Sequence, residues 1–370
     1  MNNMKNIIIA SVENIFTELY IDTLTKKCGI DSENIIVASF DDQNLIAEKK
    51  LSVKAIHYKD IEPSEIQKCN TITIISLHNK NSAALRYLID NYGIQDRTYI
   101  HLTDDEVDRW LKTKNKYGNL IPAKNNFLDE NCIYALHKVK NIIAPKPYFS
   151  NALEKLVPDQ NFVFHDCRDA FKSMKSQLWD QVASIYQKNK NESRAERTIC
   201  IGAKQGAIGL KDTLNIIKAL VSENVIPEHK ILIFTNKRKK YFRVFIDIYL
   251  GYLRHIKKKN IDAAYPTTSN VFTYNAIIMS CNNLILQGRG SMSTARSYIA
   301  MGRGAVHVKA GSPNHIELTE AERVDVLSYD SFEKLAKNFK RSSLDLENNK
   351  DIMNKRFKEK YSVLEKIYNA

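Results

Sequence analysis

Two short turns in the second half of the chain carry the residue types that hold a phosphate. The first is Gly202-Ala203-Lys204-Gln205-Gly206. The second is Gln287-Gly288-Arg289-Gly290-Ser291-Met292-Ser293-Thr294. A glycine lets backbone N–H groups approach a phosphate oxygen, and a helix start behind it favours the negative charge. Arg289 adds a guanidinium suited to two parallel hydrogen bonds with an anion, and Lys204 adds a point charge. Ser291 or Ser293 also fits an ordinary helix N-cap, a role that needs no ligand. The second turn matches the dinucleotide fingerprint G-x-G-x-x-G only in its first two glycines, because Ser293 stands in the third place. A third segment, Thr235-Asn236-Lys237-Arg238, follows an apolar run and is expected beside the other two.

The first half offers carboxylates instead. In His101-Leu102-Thr103-Asp104-Asp105-Glu106, the pair Thr103 and Glu106 reads as a capping box. That leaves Asp105 and Asp104 as candidates for a general base, Asp105 first. Glu13, after the first apolar run, and His78 are rivals, and the sequence does not choose among them. A lone histidine at a strand end is more often a structural hydrogen-bonder than a catalyst.

These residues need elements to position them. Short runs rich in Ile and Val, without polar alternation, predict strands buried on both faces. In the first half they are Asn6–Ala10, Asn34–Ala38, Ala55–Tyr58, Thr71–Leu77, Thr98–Leu102, Asn141–Ala144 and Asn161–Phe164. In the second they are Thr198–Ile201, Lys230–Phe234, Asn283–Leu286, Ala305–Val308 and Val324–Leu327. Segments of helical period lie between them, including Phe16–Lys27, Asn81–Asn91, Asp104–Lys114, Leu210–Val221, Tyr241–Ile256 and Ser291–Met301. This alternation predicts parallel sheets covered by helices. The expected fold is α/β, with two Rossmann-like domains facing each other across a cleft. The polar stretch Lys188–Arg197 predicts the boundary. An N-terminal Rossmann-like domain would occupy 1–188 and a C-terminal nucleotide-binding domain 197–345. A last helix in 346–370 would pack back on the first domain. Nine of the twelve glycines follow residue 201, which directs the search for a ligand site to the second domain.

At 370 residues, 44% hydrophobic and 26% charged, the chain has the make-up of a globular protein with two cores. No segment approaches the ~18 uninterrupted apolar residues of a membrane span. Six scattered cysteines without a C-x-x-C pair read as reduced thiols and predict no zinc site. A cytoplasmic protein is expected, at most resting on the inner face of the cell membrane. Residues 237–259 hold nine Lys and Arg against the single acid Asp247, a net +8 of the chain's +13. Such a patch suits a polyanion: nucleotide phosphates, an anionic membrane surface or nucleic acid. The stripe Tyr241, Phe245, Ile248, Tyr252 and Ile256 predicts core packing, with the lysines outside.

From Thr198 to Asp330 the chain resembles the C-terminal domain of GT-B glycosyltransferases. It is most similar to bacterial transferases that add 4-acetamido-4,6-dideoxygalactose (Fuc4NAc) to a lipid-linked oligosaccharide. The segments concerned are ICIGAKQGAIGLKDTLNIIKAL, HKILIFTN and NNLILQGRGSMSTARSYIAMGRGAVHV. The resemblance implies a nucleotide-sugar donor near Gly202, Lys204, Gln205, Gly206, Thr235, Asn236, Gln287, Gly288, Arg289, Gly290, Ser291, Ser293 and Thr294. It implies a glycan or lipid-linked acceptor on the N-terminal domain, and a hexosyltransferase of surface polysaccharide assembly. No D-x-D triplet occurs, so neither metal nor cofactor is expected, and cations and helix dipoles would stabilise the departing diphosphate. Nucleotide-sugar epimerases, pyruvyl transferases and sialyltransferases are the alternatives. The His-Pro pair usual in GT-B sialyltransferases is missing. A nucleic-acid-binding protein is the non-enzymatic alternative, disfavoured because no recognition module accompanies the basic patch.

Overall fold

The computed structural model describes the chain except for residues 1–3, 104–105, 122–127, 171–173, 190–196, 205, 227–228, 236–239, 268–269, 342–343 and 370. The chain divides into two compact units. One comprises residues 1–171 with 357–370, and the other residues 172–356.

The first unit is built on seven strands: β1 (Asn6–Ile9), β2 (Ile35–Ser39), β3 (Lys54–His57), β4 (Thr71–Ile75), β5 (Thr98–His101), β6 (Asn141–Ile143) and β7 (Val163–His165). They form one parallel sheet in the order β3-β2-β1-β4-β5-β6-β7. Successive strand residues point to opposite faces. Ile7, Ile9 and Ile36 accordingly join one core cluster, and Ile8, Ile35 and Val37 join the other. That is why these strands read as unbroken apolar runs.

The last helix, Leu346–Asn369, contributes residues from Phe357 onward to this unit. Thr71 donates its hydroxyl to the Ile367 carbonyl at 2.6 Å, Asn70 donates to the Tyr368 carbonyl at 3.0 Å, and the Tyr368 hydroxyl reaches Thr73 at 2.8 Å.

The second unit holds β8 (Arg197–Ile201), β9 (His229–Ile233), β10 (Asp262–Ala264), β11 (Asn283–Ile285), β12 (Ala305–Lys309) and β13 (Leu327–Tyr329). The sheet is parallel in the order β10-β9-β8-β11-β12-β13. Strand β10 went unread in the sequence, because Asp262-Ala263-Ala264 has neither an apolar run nor alternation. The last strand begins at Leu327 instead of Val324. Gly304, just before β12, leaves no room for a side chain: a Cβ there would lie 1.9 Å from the Asn282 carbonyl oxygen and 2.5 Å from the Tyr298 hydroxyl.

One expectation is overturned. The helix Lys240–Gly251 and the wide π turn Tyr252–Ile256 bury Phe242, Ile246, Leu250 and Leu253 in the core of the second unit. Tyr241, Phe245, Ile248, Tyr252 and Ile256, expected to be core, are exposed. The segment carries two apolar faces, and only one fits against the sheet. Among the described residues no helix is long and apolar enough to cross a membrane.

Candidate functional site

The second sheet has the strand order of a dinucleotide-binding sheet. Its direction of winding reverses between β8 and β11, and ligands of such sheets bind at the carboxyl ends flanking that reversal. The two glycine turns follow these two strands. Gly202, at φ +81°, lets the chain turn sharply out of β8, and its N–H still reaches the Ile285 carbonyl of β11 at 2.9 Å.

Gln287 ties the turns together. Its Oε1 accepts the Ala203 N–H at 3.1 Å, while its Nε2 donates to the Gly290 carbonyl at 3.1 Å and to Ser291 Oγ at 2.7 Å. Asn314 holds the second turn from behind. Its Nδ2 donates to the carbonyls of Gln287 at 2.6 Å and Gly290 at 3.0 Å, and its N–H to that of Gly288 at 3.0 Å. Tyr274 closes the arrangement by donating to the Ala203 carbonyl and meeting Thr294 Oγ1 at 3.0 Å. Burial pushes the Tyr274 phenol up to about 12, so it stays a neutral donor.

The carbonyls of Gln287, Gly288 and Gly290 are thus engaged by the protein itself. Each already accepts a hydrogen bond, which lessens its repulsion of an anion approaching the loop. Gly290, at φ +82°, leads into Ser291, which sits at φ +62° as the N-cap of helix Met292–Ala300. The ordinary N-cap reading fails here, since Ser291 makes no side-chain cap hydrogen bond. The first turn of that helix carries half-buried Ser293 and buried Thr294. Arg289 is half-buried beside it, and Lys204 is exposed on the facing turn.

A pocket of about 250 Å³ adjoins the turns. It is lined by Ile208 and Asp212 behind β8, Gln287 and Gly288 behind β11, Lys309 at the end of β12, and Tyr329, Asp330 and Phe332 behind β13. This lies just under the usual ligand-site range of roughly 300–1,000 Å³.

The structure therefore brings together Gly202, Lys204, Gly206, Gln287, Gly288, Arg289, Gly290, Ser291, Ser293 and Thr294. Thr235 stands nearby, next to Phe234, whose carbonyl accepts the Gly206 N–H at 3.4 Å. Gln205 and Asn236 lie outside the described residues. The sequence reading passed over Tyr274, Lys309 and Asn314. The signal for Asn314 was the turn Gly311-Ser312-Pro313-Asn314 behind a strand. Nothing marked Tyr274, which lies inside a helix.

In the first unit, Asp104 and Asp105 lie outside the described residues. Glu13 is exposed behind β1. His78 is half-buried behind β4, where its Nδ1 accepts the Lys80 N–H at 3.2 Å. Burial, with the Lys80 and Arg109 cations, lowers its basicity. Glu106 takes the Thr103 N–H at 3.0 Å, as a capping role requires, and also accepts from the Ser76 hydroxyl. Ser76 is held at φ +62°. Burial raises the Glu106 carboxyl above its usual range. Among the described residues no group of three His, Cys, Asp or Glu is gathered to hold a metal ion.

No protein-family model matches the sequence, and no curated protein does. Solved structures match along the whole chain. HepE of Anabaena, in complex with UDP, matches with a TM-score of 0.58 and 11% identity, over 99% of this chain and 98% of that one. A UDP-forming α,α-trehalose-phosphate synthase from Burkholderia xenovorans gives 0.60 and 10%, over 99% and 98%. The UDP-GlcNAc 2-epimerase of Neisseria meningitidis, bound to UDP-GlcNAc, gives 0.56 and 13%, over 98% and 99%. The shared feature is the fold: this chain has the GT-B-like pair of Rossmann-like domains.

Proposed function

We propose that this protein is a glycosyltransferase of GT-B type that binds a nucleoside-diphosphate sugar on its second unit. The observation that carries the reading is the pair of glycine turns at the β8/β11 reversal, joined by Gln287 in front of a helix start whose N-cap, Ser291, makes no side-chain cap bond. The diphosphate would lie against the N-terminus of helix Met292–Ala300, with Arg289 and Lys204 offsetting its charge. As the glycosidic bond breaks, these groups would stabilise the negative charge gathering on the leaving diphosphate. The nucleoside would reach toward the pocket, where Tyr329 and Phe332 offer ring faces and Asp212 and Asp330 offer acceptors for ribose hydroxyls. UDP is the nucleotide to try first, since the three structures named above concern UDP or UDP-sugars.

The acceptor, a glycan or lipid-linked glycan as in the Fuc4NAc transferases, would bind the first unit. In an inverting reaction, Asp105, Asp104, Glu13 or the neutral His78 would deprotonate its hydroxyl. A 2-epimerase is the second reading, favoured by the Neisseria likeness in fold. It would convert the sugar with no acceptor present.

Thermal unfolding against UDP, GDP, CMP, TDP and ADP and their sugar forms tests the reading. A ligand at about 100 times its dissociation constant adds ~2.7 kcal/mol of stability. Stabilisation by one such nucleotide, lost in Arg289→Ala, is the expected result. No response to any of them sinks the proposal, and sugar conversion without an acceptor moves the epimerase forward.

A further inference from the structure

We propose that the outward face of helix Lys240–Gly251 and the π turn after it seats this protein on an anionic lipid surface. Six side chains make that face: Tyr241, Val244, Phe245, Ile248, Tyr252 and Ile256, each between 40% and 68% exposed. At 3.6 residues per turn, Tyr241, Val244, Phe245 and Ile248 fall within about 100° of arc. Their stripe is continuous, unlike the single apolar side chains scattered over any surface. Tyr241 and Phe245 pack edge to face with centroids 6.4 Å apart, so the stripe has a fixed shape.

The helix is anchored. Phe242, Ile246, Leu250 and Leu253 on its other side belong to the core of the second unit. The exposed stripe is therefore presented by a rigid element and need not fold on contact.

Charge decides which partner fits. The stripe is bracketed along the chain by Lys237, Arg238, Lys239 and Lys240 before it and by Lys257, Lys258 and Lys259 after it. The last three are exposed, and Lys257 lies 5.8 Å from the centre of the Tyr252 ring. An apolar face with basic ends matches the acyl boundary and the phosphates of an anionic leaflet together. The tyrosines suit the same depth, with an apolar ring and a polar tip. A second copy of the chain fits less well. A two-fold contact places the same patch on both sides, and would bring like-charged ends together. Nucleic acid would use the lysines but leave the stripe in water.

The proposal is independent of the nucleotide-sugar reading, because neither the six stripe residues nor Lys257, Lys258 and Lys259 line the pocket beside the glycine turns. Its test is flotation of the purified full chain with phosphatidylcholine vesicles, with and without phosphatidylglycerol, at low and high salt. Binding is expected only to the anionic vesicles, and weaker at high salt. Phe245→Glu with Ile248→Glu should abolish it. Both positions are exposed, so circular dichroism and the thermal unfolding midpoint should stay as in the wild type. Lys257→Gln with Lys259→Gln keeps the stripe and should weaken binding about five-fold per lysine removed. Failure to float with anionic vesicles overturns the proposal, as does equal flotation of the Phe245→Glu, Ile248→Glu variant. A concentration-dependent dimer that this variant breaks, without vesicle binding, overturns it too and gives the face to a second copy.

Discussion

The two sheets wind in the same order through their first six strands, yet their carboxyl ends are furnished differently. In the first unit, side chains of the protein itself take the backbone donors behind β1 and its neighbours. Asp41 accepts the Val12 N–H at 2.7 Å, Asn14 caps helix Ile15–Lys26 through the Phe16 N–H, and Asn81 takes the His78 N–H at 2.9 Å. In the second unit, the helices behind β8 and β11 start at Gly209 and Ser291, and neither makes a side-chain cap bond. Topology places a crevice in both units, and residue type decides what fills it. Behind β1 of the first, side-chain acceptors take the backbone donors and Asp41 adds a negative charge, although the helix behind β4 also starts, at Asn81, without a side-chain cap bond. Glycine, Arg289 and Lys204 open the second.

The largest expected effect strikes the frame of the second unit. Gly304→Ala forces a Cβ into the Asn282 carbonyl, and overpacking of this kind should cost ~3 kcal/mol or more. Calorimetry should show an early transition for the second unit. An unchanged Tm would mean that the β11–β12 approach is looser than described.

Both sheets carry a buried histidine on their fifth strand, and the pair sharpens the comparison. Burial lowers His101 of β5 to about 4 and His307 of β12 to about 3. Each folds as a neutral imidazole. The stability this confers is complete above the unfolded-state value of about 6.5. It is lost as pH falls from there toward those lowered values, because the unfolded chain binds the extra proton. The loss for His307 should be on the order of several kcal/mol. Urea midpoints measured from neutral to acidic pH should fall in the wild type. They should fall less in His307→Gln and in His101→Gln. Equal slopes in all three proteins would contradict the burial of these rings.

Next in size is the contrast in anion binding. Arg289→Ala should weaken UDP binding by roughly 10- to 100-fold, the worth of a hydrogen bond to a charged group. Glu13→Ala, in the first unit, should leave it unchanged. Calorimetric titration of both variants checks this. A Glu13 effect as large as that of Arg289 would erase the proposed difference between the units.

The smallest effect concerns Glu106. Its carboxyl is raised mainly by burial, so the stability of its neutral form is full below the ordinary glutamate value and is lost as pH rises through the raised one. Glu106→Gln should flatten that decline while keeping the contact with Ser76. An unaltered profile in denaturant titrations would show that Glu106 ionises freely.

The sequence by itself determined the class of fold, the strands apart from β10, and the two glycine turns. Buried parallel strands must be continuously apolar, and a close turn into a helix needs glycine, so these features are written locally. Three things were decided only by the tertiary structure. Gln287 and Asn314 join turns that are 84 and 24–27 residues apart in sequence from their partners, and no local pattern announces such a pairing. Glu106 reads as a helix cap, and only its burial against Ser76 shows a raised carboxyl. Helix Lys240–Gly251 has two apolar faces, both consistent with helical period. Periodicity reports that a face is apolar, whereas the sheet beneath determines which face is buried.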